Sequence, residues 1–357
     1  MLDDPSAPIR VALIGYGLGG EVFHAPLVHA DPDLTLTTIV TSDPGRRERA
    51  AARYPDARIV EGADAIWARA DDHDLVIVCT PNVAHVPLAT AALEAGSAVV
   101  VDKPLAASAD DGRALATLAA DRGLLLSVFQ NRRWDGDFLT VRRLIADDAL
   151  GTVFRFASRF ERWRPQRDDG WRERGEPGEA GGLLWDLGSH LVDQASQLFG
   201  RPTHVYAEVD RRRAGVEVDD DVFVALTHPG GVRSHLWASA TAAIGGPRFH
   251  VLGARGAFEK HGLDPQEDAL AGGASPNDPG YGTEPEGRWG RLSDGTTERA
   301  VPTEPGDYAA YYRGIAASLR TGAPPPVDAR DAIEGLEVLE AARESSRTGT
   351  VVALPGR

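Results

Sequence analysis

"IRVALIGYGLGG", residues 9–20, decides the fold. A short apolar run leads into Gly15-x-Gly17-x-x-Gly20, and a helical pattern continues through Phe23, Leu27 and Val28. A β-rich run, "LTLTTIV", occupies residues 34–40. Strand, glycine turn, helix and strand form the context in which this glycine spacing binds a dinucleotide. In that reading Gly15 makes the tight turn and Tyr16 sits in the loop after it. Gly17 lets the main chain approach a pyrophosphate, and Gly20 lets helix and strand pack closely. The phosphates lie at the helix N-terminus.

The second strand ends in "VTSDPGRR", residues 40–47. A site that prefers NAD usually has an acid there, accepting from the ribose 2′-hydroxyl. Here the strand ends in Thr41 and Ser42, and Asp43 comes two residues late, in a turn that Asp often builds by itself. Arg46 and Arg47 follow in the first helical turn. Small hydroxyls and arginines suit a 2′-phosphate, so the expected cofactor is NADP. NAD is the alternative, with Asp43 facing the ribose.

Two further strand–helix units extend this half. "DLVIVCTPN" (74–82) is a buried-strand run, followed by a helix through "HVPLATAALEAG" that Gly96 closes. "AVVVDKP" (98–104) is another strand, and a helix over 108–122 leads to "LLLSVFQNRRW" (124–134). Continuous apolar strands alternating with helices predict a doubly wound parallel sheet. Ligands sit beyond the C-terminal ends of such strands. Thr80, Pro81, Asn82, Lys103, Gln130 and Asn131 fall at those ends, with His85 just behind.

After residue 150 the texture changes. "TVFRFASRF", "THVYAEV", "DVFVALTHPGGVRSHLWASA" and "RFHVLGARGAFE" read as strands, with a hairpin turn at 228–231. They predict an α+β domain with an open, largely antiparallel sheet. Residues 262–306, rich in Gly, Pro and Asp, read as long loops; "DYAAYYRGIAASLR" and "DARDAIEGLEVLEAAR" read as helices. The expected division is a Rossmann domain over 1–128 and a substrate-binding and oligomerisation domain over 129–357. In it a C-terminal helix packs back on the Rossmann domain.

Composition narrows the function. The 357 residues carry a formal charge of −15, which argues against nucleic-acid or anionic-membrane partners. No run approaches a membrane span of about 20 apolar residues. With one cysteine, Cys79, and no secretory signal pattern at the N-terminus, a cytoplasmic protein is expected. Of 38 Lys plus Arg only Lys103 and Lys260 are lysines, so the lysine at a strand end stands out chemically.

"LLWDLGSHLVDQASQLFG" (183–200) reads as an amphipathic helix with Asp186, His190 and Asp193 on one side. Taken alone, an Asp and a His four apart are more often a cap and a packed histidine. Zinc on these three is a weaker reading, because no Cys or second His sits at ligand spacing, and no metal is expected.

The motifs "GYGLGGEVFHAPL", "CTPNVAHVPLATAALEAG", "VDKPLA" and "WDLGSHLVDQ" resemble the Gfo/Idh/MocA oxidoreductases from end to end. "FQNRRWDGDFLTVRRL" and "HGLDPQED" resemble the branch that contains NADP-dependent scyllo-inositol dehydrogenase; the family's usual EKP is DKP here. The resemblance implies hydride transfer between a nicotinamide and a secondary alcohol or ketone of a sugar or cyclic polyol. It also implies a catalytic cluster of Lys103, Asp186 and His190. Residue chemistry agrees: a His takes a proton near neutral pH, and an ammonium stabilises a developing alkoxide. Asn131, Arg132 and Trp163 are the further substrate contacts expected. An NAD-dependent glycosidase and a non-catalytic cofactor sensor remain as alternatives. The open sheet face predicts a homodimer or homotetramer.

Overall fold

The computed structural model describes residues 7–166, 173 and 180–356. The chain forms two compact units, each assembled from three stretches: 1–134, 266–281 and 307–333, then 135–265, 282–306 and 334–357. The first unit therefore takes in more chain than residues 1–128. It draws in a part of the expected 262–306 loop and the helix Ala309–Thr321.

Six strands build the first unit's sheet: β1 (Ile9–Ile14), β2 (Leu34–Val40), β3 (Arg58–Val60), β4 (Leu75–Val78), β5 (Ala98–Asp102) and β6 (Leu126–Phe129). Their order is β3-β2-β1-β4-β5-β6, and every pairing is parallel. The apolar runs are the reason. Val11, Leu13, Leu75, Ile77, Val99 and Val101 are all fully buried, as strands covered on both faces require. The order reverses between β1 and β4, the switch point where such sheets bind ligands. Helices Pro44–Arg53, His85–Glu94 and Ala109–Asp121 join the strands. Each boundary has a local cause: Ser108 Oγ accepts from the Asp111 amide, and Gly96 leaves its helix at φ +88°. The returning segments are tied to β6, where Ser127 Oγ donates to the Val327 carbonyl and accepts from Tyr311 Oη.

Among the described residues the second unit holds nine strands: β7 (Val153–Glu161), β8 (His204–Asp210), β9 (Asp221–Thr227), β10 (Arg233–Ser239), β11 (Phe249–Gly253), β12 (Ala257–Lys260), β13 (Gly290–Ser293), β14 (Glu298–Val301) and β15 (Val352–Ala353). The order is β14-β13-β12-β11-β7-β10-β9-β8-β15, with β7–β10 the single parallel pair. One face buries Val222, Val224, Leu226 and Leu236, and the helix Gly188–Phe199 packs on it. On the other face Phe223 lies 5.0 Å from Trp237, and the Arg159 guanidinium stacks on Trp237 at 4.0 Å. Phe154 stands half exposed.

Residues 262–306 are not simply loops. They contain the helix Gln266–Ala271 and the short strands β13 and β14, with β14 at the sheet's edge. Four-residue strands at a sheet edge carry too few inward apolar side chains to show a period of two. No helix among the described residues is long and apolar enough to cross a membrane.

Candidate active site

In the first unit the glycine loop is built on close approaches. Gly15 has φ +104°, and a Cβ there would lie 2.0 Å from the Cys79 carbonyl oxygen at the end of β4. A Cβ on Gly20 would lie 2.1 Å from the Gly15 carbonyl oxygen, so only glycine lets this turn of helix seat on β1. Gly17 is different: its Cβ position meets nothing nearer than an Arg46 guanidinium nitrogen at 3.8 Å. The helix that follows begins as one π-helical turn, Gly19–His24, before continuing as α-helix over Ala25–Ala30. Such turns cluster at functional sites.

Beside this loop the end of β2 presents Thr41, buried, and Ser42, exposed. Asp43 caps the next helix, its Oδ1 accepting from the Arg46 amide at 2.8 Å. Arg47 pairs with Glu61, and Arg49 holds Glu21 through two bonds of 2.7 and 2.9 Å. Among the described residues no carboxylate pairs with Arg46.

The other strand ends contribute Thr80, Asn82, Lys103 and Gln130. Thr80 Oγ1 and Gln130 Oε1 are buried with no protein hydrogen-bond partner, as expected where a polar ligand supplies one. Together with the open space over Gly17, they fit a bound dinucleotide. His85 does something else. Its Nδ1 lies 2.8 Å from the Pro104 carbonyl and its Nε2 2.9 Å from the Thr80 carbonyl, so the ring staples β4's end to β5's. Burial pushes its pKa down, against the pull of Asp102 and the two carbonyls. Both ring nitrogens lie within hydrogen-bond distance of a main-chain carbonyl. Arg132 is likewise committed: it is buried, with Nη2 donating to Glu267 at 2.7 Å. Tyr16 and Asn131 are buried, Tyr16 edge-on to Tyr54.

Three residues that sequence reasoning missed meet under the glycine loop. A ring nitrogen of His24, Sγ of Cys79 and a carboxylate oxygen of Asp102 lie within 4.8 Å of one another. Among the described residues no other three His, Cys, Asp or Glu side chains close up in this way; Asp186, His190 and Asp193 do not. Asp102 accepts from the Lys103 amide at 2.8 Å and from the Cys79 thiol at 3.4 Å. Burial opposes ionisation of Asp102. His24, Lys103 and His85 outweigh it and hold the carboxyl well below the usual carboxylate range.

In the second unit the expected helix 183–200 is two pieces, Leu183–Asp186 and Gly188–Phe199, joined at Leu187. His190 and Asp193 are buried, and Asp186 is partly exposed. The first piece is held from outside. Asp219 Oδ2 accepts from the Leu184 amide at 2.7 Å, and its carbonyl accepts from Leu183 at 3.0 Å. Gly182 lies so near that a Cβ would sit 2.3 Å from the Asp219 carboxylate. Burial raises the Asp219 pKa. The Arg343 guanidinium stacks on Trp185 at 4.0 Å. Beyond His190, at 6.5 Å, stands the Phe160 ring. Phe160 packs on buried Arg248, which donates to Gln194 Oε1 at 2.8 Å. Trp163 is exposed and bridges to Thr241 on the strand-end loop.

The comparisons with known proteins agree with this architecture. Residues 9–130 match the family profile for the NAD-binding Rossmann fold of the Gfo/Idh/MocA oxidoreductases, and residues 142–354 match the profile for its C-terminal alpha/beta domain. The chain is 38% identical to scyllo-inositol 2-dehydrogenase (NADP(+)) IolW of Bacillus subtilis, over 97% of this chain and 96% of that protein. It is 40% identical to the Escherichia coli oxidoreductase YdgJ, over 97% of this chain and 99% of that one. The solved structure of oxidoreductase yvaA from Bacillus subtilis superposes with a TM-score of 0.92 at 36% identity, covering 98% of this chain and 99% of that chain. A parallel Rossmann sheet with its glycine turn, a mixed and mostly antiparallel second sheet, and this kinship along nearly the whole chain make the protein a member of the Gfo/Idh/MocA family of NAD(P)-dependent oxidoreductases.

Proposed function

We propose that the protein is an NADP-preferring dehydrogenase of a cyclic polyol or sugar, or a reductase of the matching ketone. The observation that carries the reading is Lys103: a rare lysine at the end of β5, its main chain held by Asp102, in a unit that fits a dinucleotide. Likeness to an NADP-dependent scyllo-inositol dehydrogenase supports an inositol-like substrate. NADP is favoured because Asp43 spends its carboxylate on a helix amide, while Arg46 has no acidic partner among the described residues.

The Gly15–Gly20 loop holds the pyrophosphate, with Thr41, Ser42 and Arg46 toward the 2′-phosphate. Thr80, Pro81, Asn82 and Gln130 line the nicotinamide end. When bound, the nicotinamide takes up or gives back the hydride. His190 removes the hydroxyl proton as the hydride leaves carbon. The Lys103 ammonium stabilises the developing oxyanion, and Asp186 accepts from a neighbouring hydroxyl and orients the substrate. The protein associates as a dimer or tetramer through the Phe223–Trp237 face of its second sheet.

The test is to incubate the protein with NADP⁺ or NAD⁺ and a panel of inositols, aldoses and glycosides. Reduced nicotinamide should accumulate with a polyol and NADP⁺. Glycoside cleavage without net reduction would replace this reading with a hydrolytic one, and binding without turnover would replace it with a sensor.

A further inference from the structure

His24, in the "GEVFHAPL" stretch, has no part in the proposed chemistry, yet it is among the most completely buried polar residues of the chain. Its surroundings are specific. Nδ1 lies 2.5 Å from the Tyr312 hydroxyl. Nε2 is buried without a hydrogen-bond partner and faces Asp102 Oδ1 at 3.8 Å. The ring packs tilted against Phe129 with centroids 4.4 Å apart, so it has little freedom to turn. All of these residues belong to the first unit.

Asp102 is the hub. One oxygen takes the Lys103 amide and the other takes the Cys79 thiol. A Cβ on Gly19 would lie 3.0 Å from its Oδ2, so the carboxylate lies directly against the cofactor loop. A carboxylate so placed stays in position only if its charge is matched nearby. The titratable and charged groups facing it are His24, Cys79, Lys103, His85 and the paired phenols Tyr311 and Tyr312. Lys103 is needed elsewhere in the reaction, and His85 is tied to two carbonyls. That leaves His24 as the group whose placement serves Asp102.

We propose that His24, backed by Tyr312, is a positioning residue that holds the Asp102 carboxylate ionised and in place, and through it fixes Lys103 and the floor of the cofactor loop. This rests on the reading of Lys103 as a catalytic residue. A neutral Asp102 would turn one oxygen into a donor and lose its attraction for the Lys103 ammonium.

The experiment compares the full-length protein with His24→Leu, His24→Gln, Tyr312→Phe, Asp102→Asn and the His24→Leu/Asp102→Asn double variant. Each is measured for melting temperature, for polyol kcat and KM, and for NADP⁺ affinity by protein fluorescence across pH. His24→Leu should lower kcat about tenfold, as Asp102 and with it Lys103 lose their fixed placement, with polyol KM nearly unchanged. The acid limb of both turnover and NADP⁺ binding should move up by about one pH unit, as Asp102 becomes easier to protonate. Gln, which keeps a neutral donor, should recover most of the kcat and return the limb toward its starting pH. If His24→Leu does not fold, Tyr312→Phe should move the limb in the same direction. On an Asp102→Asn background His24→Leu should have little further effect. A fixed acid limb in every folded variant, or additive losses in the double variant, overturns the proposal. If no alcohol is oxidised but the binding limb still moves, the network stands and the dehydrogenase reading falls. Polyol turnover with a fixed limb does the reverse: the dehydrogenase reading stands and the network falls.

Discussion

Arg46 stands in a helical turn whose neighbours Arg47 and Arg49 are already engaged with Glu61 and Glu21. Arg46→Ala should therefore raise KM for NADP about tenfold or more while leaving NAD kinetics unchanged, since it removes one charge-assisted contact to a phosphate. Equal losses with both cofactors would move the 2′-phosphate elsewhere. His190→Ala should cut kcat by about 10²–10⁴-fold with NADP affinity near normal. A packed histidine would instead lower the melting temperature and spare turnover per folded molecule. Asp102 offers a pH test independent of catalysis. Its folded pKa lies below the ordinary 3.8, so its stabilisation is present above that value and lost as pH falls below it. Asp102→Asn should flatten the acid limb of the stability curve in that range, as read by denaturant unfolding. Lys103 stands out in the sequence because only two lysines occur in it. The His24–Cys79–Asp102 group does not, because three separate segments bring it together and no spacing encodes it. Its only trace was a histidine set among Val22, Phe23, Ala25 and Leu27, and an Asp at the strand end.

At the scale of elements, what could be read was whatever repeats along the chain. The buried strands β1, β4 and β5 announce themselves by near-continuous Val, Ile, Leu and Ala, and the hairpin β9–β10 by its Pro-Gly-Gly turn. The four-residue strands β13 and β14 escaped for want of length. The π-helical turn at Gly19–His24 and the joint at Leu187 escaped because a one-residue change in helical winding leaves the apolar pattern almost unaltered. Asp219 escaped because it caps a helix from 35 residues away. Sequence rules look for the cap beside the helix. Asp219→Ala should cost about 1–2 kcal/mol of stability, as cap losses do. It should also lower kcat, because the helix it anchors carries Asp186. Asn, which keeps the acceptor oxygen, should restore most of both. Full activity in the Ala variant would show that Asp186 is aimed by something other than this cap.

On the scale of the whole molecule, the Phe223–Trp237 face is aromatic, with Arg159 stacked on it. Isolated sheet faces of this kind seldom remain solvated. Sedimentation at micromolar concentration should return a multiple of the chain mass for the natural protein, and Trp237→Glu should shift it toward one chain. A single-chain mass for both would leave this face without a partner. The division of the chain has its own consequence. The first unit's strands are complete by residue 129, but its buried aromatic knot is not: Phe129 packs on Tyr311 and Tyr312, and Ser127 is bonded to Val327. During synthesis the amino-terminal sheet leaves the ribosome nearly two hundred residues before the tyrosines that seal it. Of the two units, the dinucleotide unit is thus begun first and finished late. A nascent chain has to keep that sheet soluble, with an open flank, until its own carboxy-terminal third arrives.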